Sequence, residues 1–66
     1  MKLKSIAIYK PQETVVYEVG KKILFNGEIS DIAVISISVS FFNTVRIETS
    51  DGNIYVFRGI PISYQQ

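Results

Sequence analysis

Large apolar residues alternate with serines along the segment from Ile35 to Phe41. A period of two places successive side chains on opposite faces of a β-strand, so this segment predicts a strand with one apolar and one hydroxylated face. We expect the apolar row to be buried, and it consists of Ile35, Ile37, Val39 and Phe41. The serine row is a secondary binding candidate on a face that is otherwise expected to be solvated, and it consists of Ser36, Ser38 and Ser40.

The apolar alternation changes phase just before this segment. Ile32 and Val34 share one parity, whereas Ile35 and Ile37 share the other. One extra residue in a strand produces such a shift, so the sequence predicts a long central strand that contains a β-bulge.

Two glycine-containing dipeptides predict β-hairpin turns. Asn26-Gly27 and Asp51-Gly52 each separate two apolar segments, and they supply the residues that most readily adopt the positive φ angles of a type I′ turn. We therefore expect one hairpin on each side of the long central strand.

The register of the second hairpin stays open at the sequence level. A two-residue loop would place Ile47 opposite Val56 and leave Tyr55 and Phe57 on the outer face. A three-residue bulged loop would instead place Ile47 opposite Tyr55. The geometry of the loop therefore decides whether both rings face solvent.

Most of the remaining chain also has strand character. Isoleucine and valine supply 18 of the 66 residues, whereas leucine and alanine supply two each, and this composition favours pleated sheet over helix. Further strands are predicted at residues 2–9, 14–19, 21–25, 44–50 and 53–59. The chain is thus expected to be a single all-β domain over residues 1–66, a five- to six-stranded antiparallel meander closed into a small barrel or compact sandwich.

The composition limits how such a small domain can be stabilised. The chain contains no cysteine and no histidine, so neither a disulfide nor a structural zinc site is expected. Its hydrophobic content is 47%, which is high for so short a chain and suggests that another copy or a partner covers some apolar surface. A net charge of +1 indicates no strong attraction to nucleic acid.

Catalytic chemistry is not predicted. Without histidine or cysteine, acid-base or nucleophilic catalysis would have to use scattered carboxylates, lysines, serines or tyrosines. Glu28 and Asp31 flank the first turn but supply too few oxygen ligands for magnesium or calcium. We therefore expect a non-enzymatic protein without metal or cofactor.

The residues with the most binding potential lie near the second hairpin. Arg46, Tyr55, Phe57 and Arg58 combine guanidinium groups and rings, as protein hot spots and base-stacking platforms do. Within the hairpin, a cation-π pair between Arg46 and Phe57 would be the alternative use of these groups. Phe41-Phe42 breaks the alternation, so at least one of these two rings is expected outside the buried row and is an interface candidate.

Phe57-Arg58-Gly59-Ile60 resembles the second motif of Sm-like RNA-binding proteins. The resemblance covers these four residues alone. Neither the first motif of that family nor its helix before the first strand is found, so no family membership and no RNA-binding residues are inferred from it.

These observations favour a self-associating protein-interaction module that binds or inhibits a protein partner, of the kind found among phage and accessory-element products. A single-stranded nucleic-acid-binding barrel is the alternative, and sequestration of a small ligand between protomers is a third possibility. The amino-terminal residues lack the apolar core of a signal peptide, and no apolar run is long enough to span a bilayer. A cytoplasmic location, in a host if the source is viral, and no membrane partner are expected.

Overall fold

The computed structural model describes residues 1–25 and 27–66. Within these residues the chain forms seven β-strands and one short 3₁₀ turn between β4 and β5, at Phe41–Asn43. The strands are β1 (Ser5–Tyr9), β2 (Thr14–Glu18), β3 (Lys22–Phe25), β4 (Glu28–Ser40), β5 (Thr44–Thr49), β6 (Ile54–Phe57) and β7 (Ile62–Gln65).

The strands form two antiparallel sheets. The first sheet has the order β2-β1-β7, and the second sheet has the order β3-β4-β5-β6. The all-β prediction is confirmed. The strand count exceeds the expected five to six because β7, a short strand directly after Pro61, pairs with β1 and was not predicted. Closure into a barrel is not found among the described residues.

The residues before β1 connect the two sheets. The Leu3 amide donates to the Ile37 carbonyl at 2.9 Å, and the Val39 amide donates to the Met1 carbonyl at 3.0 Å. Lys2 thereby forms an isolated antiparallel bridge with Ser38 on β4. The predicted first strand, residues 2–9, thus pairs with one sheet at its start and with the other at its end.

A second connection lies between β2 and β3, where the chain changes partner. The Val19 amide donates to the Lys4 carbonyl at 2.9 Å, and the next amide, that of Gly20, donates to the Val34 carbonyl at 2.9 Å. Gly20 has φ of +87°, a conformation that glycine adopts without steric cost. This sharp bend lets one segment of chain belong to both sheets.

The hydrophobic core lies between the two sheets and contains side chains from both. Its buried members are Leu3, Ile6, Ile8, Ile23, Val34, Ile37, Val39, Val45 and Ile47. Nearly all are β-branched, and such side chains pack well against the pleated surfaces of neighbouring strands. The core is thin, as expected for a domain of this length.

The predicted bulge in the central strand is present. The register between β4 and β5 shifts between Val34 and Ser36, so Ile35 is the additional residue. Its side chain is 57% exposed, whereas that of Ile37 is 1% exposed. The expectation that Ile35 and Phe41 belong to the buried row is therefore wrong. Ile35 lies in the bulge, and Phe41 follows the last residue of the strand.

The second hairpin adopts the three-residue alternative. The Thr49 amide donates to the Asn53 carbonyl at 3.1 Å, and the Gly52 amide donates to the Thr49 carbonyl at 3.1 Å. Gly52 has φ of +86°, as expected where a type I turn is followed by a glycine bulge. Ile47 consequently pairs with Tyr55.

The first predicted turn is described only in part. Phe25 and Glu28 are backbone partners at the ends of β3 and β4, and Gly27 has φ of +81°. Asn26, the other predicted turn residue, lies outside the described residues.

The bulge generates a prediction that compares two neighbouring isoleucines. Ile37→Ala should lower the free energy of unfolding by about 3 kcal/mol, because it leaves a cavity in the core. Ile35→Ala should lower it by less than about 1 kcal/mol, because the side chain is largely in water. Urea unfolding of both variants gives the two values, and equal losses would show that the bulge is at another residue.

Candidate functional site

The candidate residues of the second hairpin lie on two different faces. Arg46 is exposed and pairs with Val56 on the outer face of the second sheet. Tyr55 and Phe57 are half-buried on the inner face and pack against the core. Arg58 is exposed and directly follows β6. The structure therefore does not bring the two rings and Arg46 together on one surface.

The ring of Phe57 has its own neighbours on the inner face. Its centroid is 6.1 Å from that of the tilted Tyr17 ring. The Lys10 Nζ atom lies 5.5 Å from the centroid of Phe57, which is within the range of a cation-π contact. Burial raises the pKa of the Tyr17 hydroxyl above its usual range, and the nearby Tyr55 and Glu13 add to the shift. The cation at Phe57 is thus Lys10 rather than Arg46.

The guanidinium of Arg46 pairs along its own strand. Its Nε atom is 3.7 Å from an Oε atom of Glu48, and both side chains are about half exposed. An ion pair of this kind contributes little stability because water screens it. Both side chains therefore remain accessible on the outer face.

The serine row lies on that same outer face. Ser36 and Ser38 are half-buried, and Ser40 is exposed. The Lys2 Nζ atom donates to the Ser36 hydroxyl at 3.0 Å. The amino-terminal segment therefore occupies part of the face that the sequence presented as a secondary candidate.

Among the side chains that the structure describes, the most exposed aromatic rings lie in the turn between β4 and β5. Phe41 is 86% exposed and Phe42 is 96% exposed. We call these two residues the Phe tip. The expectation that at least one ring lies outside the buried row is met by both.

The backbone of the Phe tip has an unusual conformation. Phe42 has φ of +59° and Asn43 has φ of +53°, and the Thr44 amide donates to the Phe41 carbonyl. A bulky residue in the left-handed region costs about 1–2 kcal/mol relative to its preferred conformations. Such strain occurs more often at functional positions than elsewhere.

The turn between β5 and β6 is held by a polar network. Thr49 is buried, and its hydroxyl donates to the Asp51 carboxylate. The amide nitrogen of the Asn53 side chain donates to the same carboxylate at 2.9 Å. These contacts, that from Thr49 above all, lower the pKa of Asp51 below its ordinary value of 3.8. The carboxylate is therefore ionised at neutral pH and fixes the bulged loop.

The described part of the chain also forms a concave surface. An open groove of about 520 Å³ lies beside β2 and β3, and its lining includes Lys10, Tyr17 and Leu24. No cluster of three or more carboxylates among residues 1–25 and 27–66 could hold a metal ion. The same residues contain no helix long and apolar enough to cross a membrane.

Comparison with known proteins adds no family: no protein-family model, no curated protein and no solved structure matches the chain. The function is therefore inferred from the geometry of this chain alone.

Sequence reasoning missed the exposed apolar residues of β6. Ile54 is 50% exposed and Val56 is 49% exposed, both on the outer face. In the three-residue register Tyr55 and Phe57 turn inward, so Ile54 and Val56, which alternate with them, turn outward. Only the length of the loop between β5 and β6 decides which residues of β6 face outward. The Asp51-Gly52 dipeptide alone does not determine that length.

The network around Asp51 generates a prediction about pH. A carboxyl group with a lowered pKa in the folded state adds stability above its unfolded pKa and loses it as the pH falls through the folded value. The wild-type free energy of unfolding should therefore decrease from about pH 4 downward. Asp51→Asn should show a weaker decrease in urea unfolding across this range.

Thr49→Val tests the assigned cause of this shift. The substitution removes the hydroxyl that contributes most to lowering the pKa of Asp51 while it keeps the size of the side chain. The pH dependence of this variant should also be weaker than that of the wild type. Parallel curves for all three proteins would contradict the assignment.

Proposed function

We propose that the protein is a non-enzymatic interaction module that self-associates and binds or inhibits a protein partner. The observation that carries this proposal is the Phe tip, where two adjacent phenylalanines are almost fully exposed. Soluble proteins seldom expose two such large rings side by side unless a partner covers them.

The physical properties of the Phe tip suit an anchor. Burying one phenylalanine side chain contributes about 1.5–3 kcal/mol, and aromatic residues dominate the binding energy of protein interfaces. The left-handed backbone at Phe42 orients the tip before any partner arrives. Such preorganisation lowers the conformational entropy that is lost on binding. The tip projects from the end of a long paired strand and can enter a concave apolar site on another protein.

The other proposed functions have less geometric support. A nucleic-acid platform built on Tyr55 and Phe57 needs accessible ring faces, and these rings are half-buried against the core. A ligand site between protomers has no observation in its favour. Origin from a phage, residence in the cytoplasm and closure into a barrel remain expectations from the sequence.

The proposed role of the Phe tip is tested by comparing partner capture by the wild type and by a double variant of the tip. The double variant Phe41→Ser/Phe42→Ser should fold with wild-type stability to within about 0.5 kcal/mol, because both side chains are exposed. Immobilised wild-type protein should enrich one protein from an extract of the source cell, or of its host, and the double variant should lose it at least about tenfold. Titration of the purified partner by calorimetry then gives both affinities.

Val16→Ser is the matched control. Val16 is also an exposed apolar residue, 67% accessible, but it lies on β2 of the first sheet. This control should retain the partner. Equal binding by the wild type, the double variant and the control would exclude the Phe tip as the anchor, and no partner above background would count against the proposed function.

A further inference from the structure

The outer edge of β6 carries backbone groups that have no hydrogen-bond partner among residues 1–25 and 27–66. The bond from the Thr49 amide to the Asn53 carbonyl fixes which residues of β6 point toward β5. Because hydrogen bonding alternates along an antiparallel strand, Tyr55 and Phe57 point toward β5. The amide and carbonyl groups of Ile54 and Val56 therefore point away from it, where β6 is the edge of the sheet.

This edge has no protecting residue within the strand itself. Natural sheets prevent pairing with other chains by placing charges or proline on edge strands. β2 and β3 each carry a charge within the strand, Glu18 and Lys22. β7 resembles β6 in that its only such residue, Pro61, lies next to the strand, as Arg58 lies next to β6. The four residues of β6 include neither a charge nor a proline, and two of them, Ile54 and Val56, expose about half of their apolar side chains.

We propose that β6 pairs with β6 of a second copy of this chain. The strands run antiparallel about a twofold axis at Tyr55, so Ile54 of each copy faces Val56 of the other. In this register each of these residues donates one backbone hydrogen bond and accepts one across the axis. The two second sheets become one continuous sheet, and the exposed Ile54 and Val56 side chains adjoin on its outer face.

The charges around β6 suit this arrangement. Continuing the same register places Arg58 of each copy opposite Gly52 of the other, next to Asp51. Asp51 and Arg58 are both exposed, and Asp51 is ionised at neutral pH. A twofold axis repeats the contact, so opposite charges meet at both ends of the paired strands. A parallel arrangement would instead bring identical charges together.

The inference deepens the self-association in the proposed function and depends on that part of it. A four-residue strand forms a smaller interface than the standard size of stable complexes. We therefore expect a dimer with a dissociation constant of order micromolar, not an obligate one.

Val56→Pro tests the pairing directly. Proline removes an amide that β5 does not use, and proline is tolerated on edge strands where the missing donor faces solvent. The variant should therefore keep the fold, as checked by circular dichroism. In sedimentation equilibrium its dimer dissociation constant should rise at least about tenfold, because the symmetric dimer loses a hydrogen bond twice. Val56→Ala, which keeps the amide, should change the constant much less.

Cysteine cross-linking tests the register, since the chain has no cysteine of its own. Tyr55→Cys places two sulfurs at a directly opposed, non-hydrogen-bonded pair, where the separation of Cα atoms is about 4.5 Å and permits a disulfide. It should form a covalent dimer under mild oxidation, and Val56→Cys should do so far more slowly.

The outcomes separate this inference from the proposed function. A strict monomer up to several hundred micromolar, or a Val56→Pro variant that dimerises like the wild type, overturns the β6 dimer. Faster cross-linking of Val56→Cys than of Tyr55→Cys overturns its register. Phe41→Ser/Phe42→Ser should dimerise normally, because the Phe tip lies outside β6. Loss of partner capture with intact dimerisation therefore reports on the Phe tip alone.

Discussion

The backbone of β4 hydrogen-bonds along one edge to two separate segments of the chain, residues 20–25 and residues 1–3, and the rest of the structure depends on this. β3 pairs with its first half, Gly20 and Lys21 bond to Val34, and the residues before β1 bond near its end. β5 pairs with its other edge. Two sheets can share one thin core only because this strand bends and changes partners. The bulge at Ile35 and the positive φ of Gly20 supply the required local geometry.

The features of this fold that follow from a local sequence pattern could be predicted from the sequence. The change of parity after Val34 predicts the bulge, and β-branched composition predicts sheet. The change of parity does not identify the bulged residue, because Val34 and Ile35 are equally apolar. Only tertiary packing determines which of them is buried. β7 was not predicted, because a strand of four residues after a proline shows almost no periodic pattern. Its pairing with β1 is also entirely long-range.

The second hairpin shows how one loop residue redistributes a candidate site. Asp51-Gly52 suits a two-residue turn, but the buried Thr49 hydroxyl and the Asn53 amide hold the Asp51 carboxylate in a three-residue loop. The register then turns Tyr55 inward and Val56 outward. The rings that the sequence offered as anchors become half-buried, and the apolar surface available to other molecules moves to the Phe tip and the outer edge of β6. The proposed roles of the two surfaces differ: the Phe tip binds a partner, and the outer edge of β6 pairs with a second copy. Each surface belongs to a separate part of the second sheet.

The fold depends most on the shared pairing of β4, and amide hydrogen exchange measured by NMR tests this pairing most directly. The amides of Leu3, Gly20 and Val34 donate to the backbone of a distant segment. We expect all three to exchange about as slowly as the core amides of β5, because opening them requires whole segments of chain to detach from the edge of β4. If the Leu3 and Gly20 amides exchange at the rate of an unstructured peptide while the β5 amides stay protected, the shared pairing of β4 is wrong.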